Sequence, residues 1–260
     1  MKDNPCKKII ADGKPIFGTW VLITKHPRIM KILAACGFDF VLIEMEHSDF
    51  DMETVGVLTM AARDNGLCPI VRPAGLKAHD MTRPLDAGAM GLLLPNVQTA
   101  EEAKRIVRDT KYTPLGHRPM NLKLPSTDYQ PFPDPQKTAD HLNSHTILVA
   151  MIETQEGLDN CEEIAAVEGI DGLMVGPDDY TQDIGAPGKM DDPRLEEAHL
   201  RVLKAAKANG KFAGCSVQNE EAARKWAERG WQWMPYANDV AMLLNHGIAM
   251  VKTLRSIAGR

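Results

Sequence analysis

Short apolar runs alternate along this chain with segments whose apolar residues recur every three or four positions. Helical spacing is clearest at Leu195, Ala198, Val202 and Ala206, which would share one helix face. The apolar runs show no alternation of polar and apolar residues, which is typical of strands that are buried on both faces of a parallel sheet. Eight such runs are present: 16–23, 38–45, 68–72, 91–95, 147–152, 172–175, 212–217 and 231–236.

The repeated strand and helix units predict an α/β fold, a single-domain (β/α)8 TIM barrel over residues 1–260. Eight units in 260 residues match the roughly 250 residues that such a barrel requires. A doubly wound open sheet is the alternative, but the glycine-rich turn that usually follows its first strand is absent from the sequence.

One segment interrupts the repeat between the fourth helix and the fifth strand. Six of the 17 prolines lie between Thr113 and Pro135, and the hydrophobic residues there have no clear period. Connections of this length inside a compact domain are usually functional. We therefore expect a Pro-rich loop insertion at about 113–140.

Composition excludes several classes of protein. Thirty Lys and Arg against 35 Asp and Glu give a formal net charge of −5, without the basic excess of a general nucleic-acid binder. No apolar run approaches the roughly 18 residues of a membrane span. The first eight residues precede no apolar segment, and the five cysteines form no Cys-x-x-Cys pair. We expect a cytoplasmic protein that binds neither membranes nor nucleic acid.

Candidate chemistry concentrates where the strands end, because reactive side chains in such barrels project from the carboxyl ends of the strands. The second strand ends in Glu44-Met45-Glu46-His47, the third in Arg72, and the fifth in Glu153. The sixth strand is followed by Gly176-Pro177-Asp178-Asp179. Carboxylates, one histidine and one arginine would thus share one rim.

Glu153 and Asp179 together offer hard oxygen ligands from neighbouring strands. Such ligands suit an octahedral divalent ion, namely magnesium, manganese or cobalt. Taken singly, Glu153 could be a solvated strand end and Asp179 a helix cap. The interpretation as a metal site therefore depends on Glu153 and Asp179 occurring together.

His47 and Arg72 each have a structural alternative. An isolated strand-end histidine more often bonds to backbone than acts as a base, and Arg72 could simply form an ion pair with Glu44 or Glu46. No lysine lies in or at the end of a strand-like run, so a Schiff base has no obvious nucleophile. The turns after the seventh and eighth runs lack the glycines of a phosphate cradle. These features favour a metal-assisted reaction on an unphosphorylated carbonyl acid.

The same residues resemble the HpcH/HpaI family of class II pyruvate aldolases. The resemblance implies a (β/α)8 barrel and the reversible cleavage of a 4-hydroxy-2-oxo acid to pyruvate and an aldehyde through a metal-bound enolate. It spans nearly the whole chain and is carried by the segments 37–47, 71–73, 85–89, 111–118, 151–154, 169–172 and 175–179.

The resemblance also implies a role for each rim residue. Glu153 and Asp179 match the metal ligands, and His47 matches the general base, with Asp86 as the carboxylate that orients its imidazole. Arg72 matches the residue that steadies the enolate oxygen. The oligomeric habit of the family, together with the broad apolar content of 242–254, implies a homo-oligomer, with a hexamer suggested by the family.

The pyruvate carboxylate would be bound by backbone amides of the turn after the sixth strand. A turn that opens a helix is a common anion site. The residues of this turn that the resemblance assigns to substrate binding are Gly176, Pro177, Asp178 and Asp179.

Three positions depart from the family pattern. Residues 119–123, Pro-Met-Asn-Leu-Lys, replace a Gly and a later substrate-contacting Ser; Met151 replaces a Gln, and Glu44 an Asp. Two other functions therefore stay open. One is a carbon–carbon ligase or decarboxylase that uses oxaloacetate, as in the citrate-forming siderophore branch. The other is a catalytically inactive barrel that serves as a binding protein.

Overall fold

Eight parallel strands close into one barrel in the computed structural model, which describes residues 1–131 and 134–260. Neighbouring strands in sequence are neighbours in the barrel, and the eighth strand pairs with the first through Ile16 and Trp233. The predicted (β/α)8 barrel is confirmed. The strands are β1 (Ile16–Val21), β2 (Phe40–Glu44), β3 (Cys68–Arg72), β4 (Gly91–Leu94), β5 (Ile147–Ile152), β6 (Gly172–Val175), β7 (Phe212–Gly214) and β8 (Trp233–Asn238).

Helices follow the strands around the outside of the barrel, and the described residues contain more of them than the eight expected. One extra helix precedes the barrel, and the connections after β4, β5 and β6 each hold two helices. The helices are α1 (Pro5–Ala11), α2 (Arg28–Ala35), α3 (Met52–Asp64), α4 (Ala78–Asp86), α5 (Ala100–Thr110), α6 (Pro135–His145), α7 (Gln155–Asp159), α8 (Cys161–Ala166), α9 (Pro177–Asp183), α10 (Pro193–Ala208), α11 (Glu220–Glu228) and α12 (Asp239–Ile257).

β1 and β7 end two and three residues before the apolar runs that predicted them. β1 ends at Val21 because the next three amides, those of Leu22, Ile23 and Thr24, donate to the carboxylate of Asp239 instead of to a neighbouring strand. β7 ends at Gly214, and only a single bridge from Val217 continues its pairing.

The Pro-rich segment is less irregular than its sequence indicates. Pro125–Thr127 forms a turn of 3-10 helix, and α6 begins at Pro135, inside the predicted loop of 113–140. The side chain of Asp134 caps α6 by accepting from the amide of Lys137, and a proline at the first position favours a helix start. Phe132 and Pro133, part of this predicted loop, lie outside the described residues.

Aromatic rings fill the interior of the barrel. Phe40 and Trp233 are stacked with ring centroids 4.3 Å apart, and Phe212 lies 5.6 Å from Trp233 on the other side. α1 covers the amino-terminal end of the barrel, where Asn4 donates to the carbonyl oxygens of Met90 and His145. The opposite, carboxyl end is left open for a site.

α12 makes few contacts with the barrel. Of its 19 residues, Asp239 alone is buried, and Leu243 and Ile257 are 75% and 78% exposed. The residues that the structure describes thus leave a large apolar face of α12 uncovered. None of the helices in residues 1–131 and 134–260 has the length and apolar character needed to cross a membrane.

Candidate active site at the carboxyl end of the barrel

A cavity of about 890 Å³ opens at the carboxyl ends of the strands. The ends of β2 and β3 contribute Glu44 and Arg72 to its wall, and the residues directly after β5 and β6 contribute Glu153 and Gly176. The parallel register brings them together, because Glu44 pairs directly with Arg72 and Ile152 with Val175 across neighbouring strands. The expectation that reactive side chains project from the carboxyl ends of the strands therefore located the cavity correctly from the sequence.

Glu44 organises the turn that follows β2. Its Oε1 accepts from the amides of Glu46, at 2.6 Å, and His47, at 3.0 Å, while its Oε2 accepts from Arg72 Nε at 2.6 Å. The side chain is only 1% exposed, so these three donors compensate its lost hydration. Glu44 fixes the positions of the residues that carry the chemistry.

The guanidinium of Arg72 is held on three sides. Besides the bond to Glu44, its Nη1 lies 3.3 Å from Glu46 Oε2, and its central carbon lies 4.8 Å from the ring centroid of Trp20. The ion pairs considered from the sequence are therefore present. They orient the guanidinium in the cavity wall, so a structural role and a role toward substrate are compatible.

Glu153 is the most deeply buried carboxylate that faces the cavity without a charged side chain bonded to it. Its Oε2 accepts from the amide of Asn96 at 2.6 Å, and the residue is 4% exposed. Burial raises the pKa of Glu153 to about 7; the Asn96 amide and Arg72 oppose the rise, and the negative charges of Asp179 and Glu46 add to it. Burial also raises the pKa of Glu46. In both groups the guanidinium of Arg72 opposes the rise in pKa without cancelling it.

The turn after β6 completes the inner end of the cavity. The amide of Gly176 donates to Ile152, and Pro177 has no N–H, so neither can donate to a ligand. The remaining amides, at the start of α9, belong to Asp178 and Asp179. Of the four residues expected to bind the substrate carboxylate, Asp178 and Asp179 are therefore the two whose backbone amides can donate to it.

His47 and Asp86 have different partners in this chain. The His47 side chain is 60% exposed, with Nε2 3.8 Å from Glu46 Oε2. Asp86, at the end of α4, forms an ion pair with Arg118, and neither Asp86 nor His47 lines the cavity. In the part of the chain that the structure describes, no hydrogen bond or ion pair joins His47 to Asp86.

The donor set of the cavity fits a hard divalent cation. All its acidic groups offer oxygen, and the Oε1 of Glu153 has no hydrogen bond from protein within the described residues. The lining includes eight carboxylates but only two cationic side chains, Arg72 and Lys225. An added positive ion would offset this excess of negative charge.

The sequence assigned no role at the site to Trp20, Asn96 or Arg118, and it offered Glu46 only as an ion-pair partner of Arg72. Glu46 was visible in the Glu-Met-Glu-His strand end, and Arg118 lay in a quoted motif. Asn96 acts through its backbone amide, at a left-handed φ of 49°, which no side-chain pattern indicates. The sequence gives no sign that Trp20 differs from the other apolar residues of the first strand.

Comparisons with known proteins agree with this geometry. The sequence profile described as HpcH/HpaI aldolase/citrate lyase matches residues 17–241. Two relatives are 31% identical to this chain: a hydroxypyruvate/pyruvate aldolase from Roseobacter denitrificans, with 94% of each chain covered, and a 4-hydroxy-2-oxo-heptane-1,7-dioate aldolase from Escherichia coli, with 93% of this chain and 91% of the relative covered.

Solved structures give the same result for the fold. An HpcH/HpaI aldolase from Desulfitobacterium hafniense superposes with a TM-score of 0.91 at 31% identity, covering 96% of both chains. The citrate synthase SbnG superposes with a TM-score of 0.89 at 28% identity, covering 98% of both. The chain is therefore similar over nearly its full length to proteins of two catalytic activities.

Proposed function

Because the chain belongs to the HpcH/HpaI aldolase/citrate lyase family, whose aldolases are carbon–carbon lyases, we propose that it reversibly cleaves a 4-hydroxy-2-oxo acid into pyruvate and an aldehyde. The observation that carries this proposal is the set of residues at the inner end of the cavity. Buried Glu153 and the start of α9 face the oriented guanidinium of Arg72 within one concave site.

Glu153 and Asp179 would hold a divalent ion, which we take to be magnesium, manganese or cobalt. When bound, that ion would withdraw electrons from the 2-oxo group and so acidify the adjacent carbon. Support comes from the oxygen-only ligands and from the raised pKa of Glu153, which is caused mainly by burial of the carboxyl; a bound cation would offset the cost of that buried charge.

Arg72 would stabilise the negative charge that develops on the 2-oxo oxygen during cleavage. Its two ion pairs fix the guanidinium before the substrate arrives, and such preorganisation is the main source of electrostatic catalysis. The amides of Asp178 and Asp179 would receive the substrate carboxylate.

His47 would act as the general base. In the cleavage direction it would take the proton of the 4-hydroxyl group; the C3–C4 bond then breaks, the aldehyde leaves, and the electron pair passes into the pyruvate enolate. Protonation of C3 completes pyruvate. Glu46 Oε2 lies 3.8 Å from the imidazole Nε2, whereas Asp86, which the family resemblance assigns to that role, is paired with Arg118.

A Schiff-base mechanism is not supported by the lysines of the site. Lys225, the one lysine that lines the cavity among the described residues, lies on α11 and pairs with Glu196 at 3.0 Å. Burial lowers the pKa of Lys111 to about 8, but its Nζ donates to Asn143 and Thr146, at the amino-terminal side of β5. It cannot reach the substrate.

The similarity to the citrate synthase SbnG supports a second candidate, carbon–carbon ligation or decarboxylation with oxaloacetate. Both candidates pass through an enolate of a 2-oxo acid. A comparison of kcat/KM for cleavage of 4-hydroxy-2-oxo acids with kcat/KM for turnover of oxaloacetate distinguishes the two candidate functions.

The decisive experiment is exchange of the pyruvate methyl protons in deuterated water, because exchange reports enolate formation without any aldehyde. We expect exchange in the presence of manganese, its loss after chelation, and its recovery with magnesium, manganese or cobalt. Borohydride with pyruvate should leave no covalent adduct. A trapped lysine adduct would contradict the mechanism, and a lack of exchange with every metal would favour the inactive binding barrel.

The proposal extends to location and assembly. All five cysteines are free, as is usual in a reducing cytoplasm, where we place the protein. We also propose a homo-oligomer, because the apolar face of α12 has no cover within the chain.

A further inference from the structure

The cavity continues beyond the inner end toward α10 and α11. This outer arm is lined by Asp191, Glu196, His199, Glu221 and Lys225. Its residues play no part in the mechanism above, which uses the inner end. Because the 2-oxo acid half of the substrate occupies the inner end, the outer arm is the space left for the aldehyde half.

His199 offers a hydrogen-bond acceptor to this arm. Its Nδ1 lies 2.8 Å from the carbonyl oxygen of Leu195, which can only accept, so Nδ1 carries the proton. Burial lowers the pKa of His199 to about 4, which keeps the ring neutral, with Nε2 as an acceptor. Nε2 has no hydrogen bond from protein within 1–131 and 134–260, although the residue is 6% exposed.

The ring of His199 is fixed in place. It stacks on Trp226 with centroids 4.8 Å apart and lies 5.6 Å from Trp231. The acceptor therefore has a defined position, which a ligand group can meet at little further entropic cost.

The charges of the arm are predominantly negative. Asp191, Glu196 and Glu221 are carboxylates, and Lys225, the one cation that lines the arm among the residues that the structure describes, is already bonded to Glu196. Arg229 adds a second bond to Glu196 from outside the lining. Lys225 is thus not available as an isolated partner for an anionic ligand, while the free carboxylates repel one.

We infer that the outer arm selects an aldehyde whose distal end is an uncharged hydroxyl group, and discriminates against an aldehyde that ends in a carboxylate. A hydroxyl donates to His199 Nε2 and to the carboxylates, whereas a carboxylate has no proton to donate and meets like charge. The inference rests on the proposed aldol reaction and specifies its substrate class.

The test is aldol addition of pyruvate to two aldehydes of equal length by the manganese-loaded protein. 4-Hydroxybutanal ends in a hydroxyl, and succinic semialdehyde ends in a carboxylate. Because 4-hydroxybutanal closes largely to a cyclic hemiacetal in water, kcat/KM is calculated on the concentration of open-chain aldehyde. We expect it to be at least about tenfold higher for 4-hydroxybutanal, the factor that about 1.4 kcal/mol of discrimination provides. The ratio should narrow as salt is added, because exposed charges are screened.

Two variants probe the two physical causes separately. Glu221→Gln removes an exposed negative charge and should raise kcat/KM for succinic semialdehyde relative to 4-hydroxybutanal. His199→Phe keeps a ring for Trp226 but removes the acceptor, and should lower the preference for 4-hydroxybutanal. Glu101→Gln, a charge change on α5 outside the cavity, should leave the ratio as in the parent protein.

The outcomes separate this inference from the proposed function. Absence of pyruvate proton exchange would reject the aldolase proposal itself. Exchange together with equal or preferred use of succinic semialdehyde would reject the selectivity and leave the aldolase proposal standing.

Discussion

Gly176 leaves the space that the side chain of Glu153 occupies. A Cβ built on Gly176 would lie 2.3 Å from Glu153 Oε1 and 2.6 Å from its Cγ. Both distances are well below van der Waals contact, so any larger residue at 176 must displace the carboxylate. The glycine is therefore required by close packing at the site, with an ordinary φ of −91°.

Gly176→Ala should abolish most metal-dependent activity while the barrel stays folded. The displaced Glu153 carboxylate would lose its position, and we expect metal affinity to fall by about tenfold or more, as for changes that disturb ligand orientation. Manganese titration and thermal unfolding measure the two effects. Gly56→Ala on α3 is the matched control, because its Cβ meets nothing within 4 Å; comparable metal binding by both variants would contradict the packing argument.

The stability of the metal-free protein should depend on pH through Glu153. Its pKa rises from 4.5 to about 7 on folding, so the folded state holds a proton that the unfolded chain releases. This contribution is fully present below pH 4.5 and is lost as pH rises through 7. Relative to Glu153→Gln, the parent should lose about 3 kcal/mol across this range.

Denaturant unfolding of both proteins after chelation, at pH 5 and at pH 8, measures this difference. We expect Glu153→Gln to be the more stable of the two at pH 8 only. Equal pH dependence of the two proteins would show that the Glu153 carboxyl ionises without penalty.

Arg72→Lys should reduce turnover by on the order of 10², the usual effect of removing an oxyanion donor. Lysine keeps the charge but cannot bond Glu44 and Glu46 through a planar fork. Pyruvate proton exchange should fall together with aldol cleavage, and manganese affinity should change much less. If Arg72→Lys exchanges pyruvate protons at the parent rate but has lost aldol cleavage, Arg72 acts on the aldehyde half of the substrate and not on the enolate.

His47→Ala should lose about 10² to 10⁴ in rate, the range for a positioned acid–base group. The two candidate carboxylate partners are compared by Glu46→Gln and Asp86→Asn. Because Glu46 lies 3.8 Å from the imidazole whereas Asp86 is engaged by Arg118, we expect Glu46→Gln to slow proton exchange more. The reverse order would show that Asp86 moves to His47 in the active protein.

The assembly should depend on the apolar face of α12. Val251→Asp places a charge in a groove also lined by Leu244 and Ile248 and should shift the protein toward the 28.7 kDa monomer. Sedimentation velocity measures the change, and Ile32→Asp, on the exposed side of α2, is the control. A parent protein that already sediments as a monomer would reject the oligomer.

The barrel was predictable because its strands are continuously apolar and because helix caps are local. Thr99 and Asn219 cap α5 and α11 through the amides of Glu102 and Ala222, as their sequence positions indicate. α6 was not predicted, because the prolines around it suggest a loop and its start depends on capping by Asp134.

The site was predictable in its residue types more than in its contacts. Strand ends identified Glu153 and Arg72 because the fold brings all such ends to one rim. The partners of His47 and Asp86 are set by side-chain directions and by the distant Arg118, which no spacing along the chain encodes. The bond from the Asn96 amide to Glu153 involves backbone, which the identity of residue 96 does not specify.

The carboxylate of Asp239 has a consequence for shortening the protein. It anchors the three amides that follow β1, next to the cavity residues Trp20 and Leu22, yet it is the first residue of α12. A truncation that removes the last helix from Val240 onward keeps this anchor, although it removes the exposed apolar face of α12 and the packing of Met242 on the core. A cut one residue earlier also releases the cavity wall, so deletion endpoints here must be chosen to the single residue.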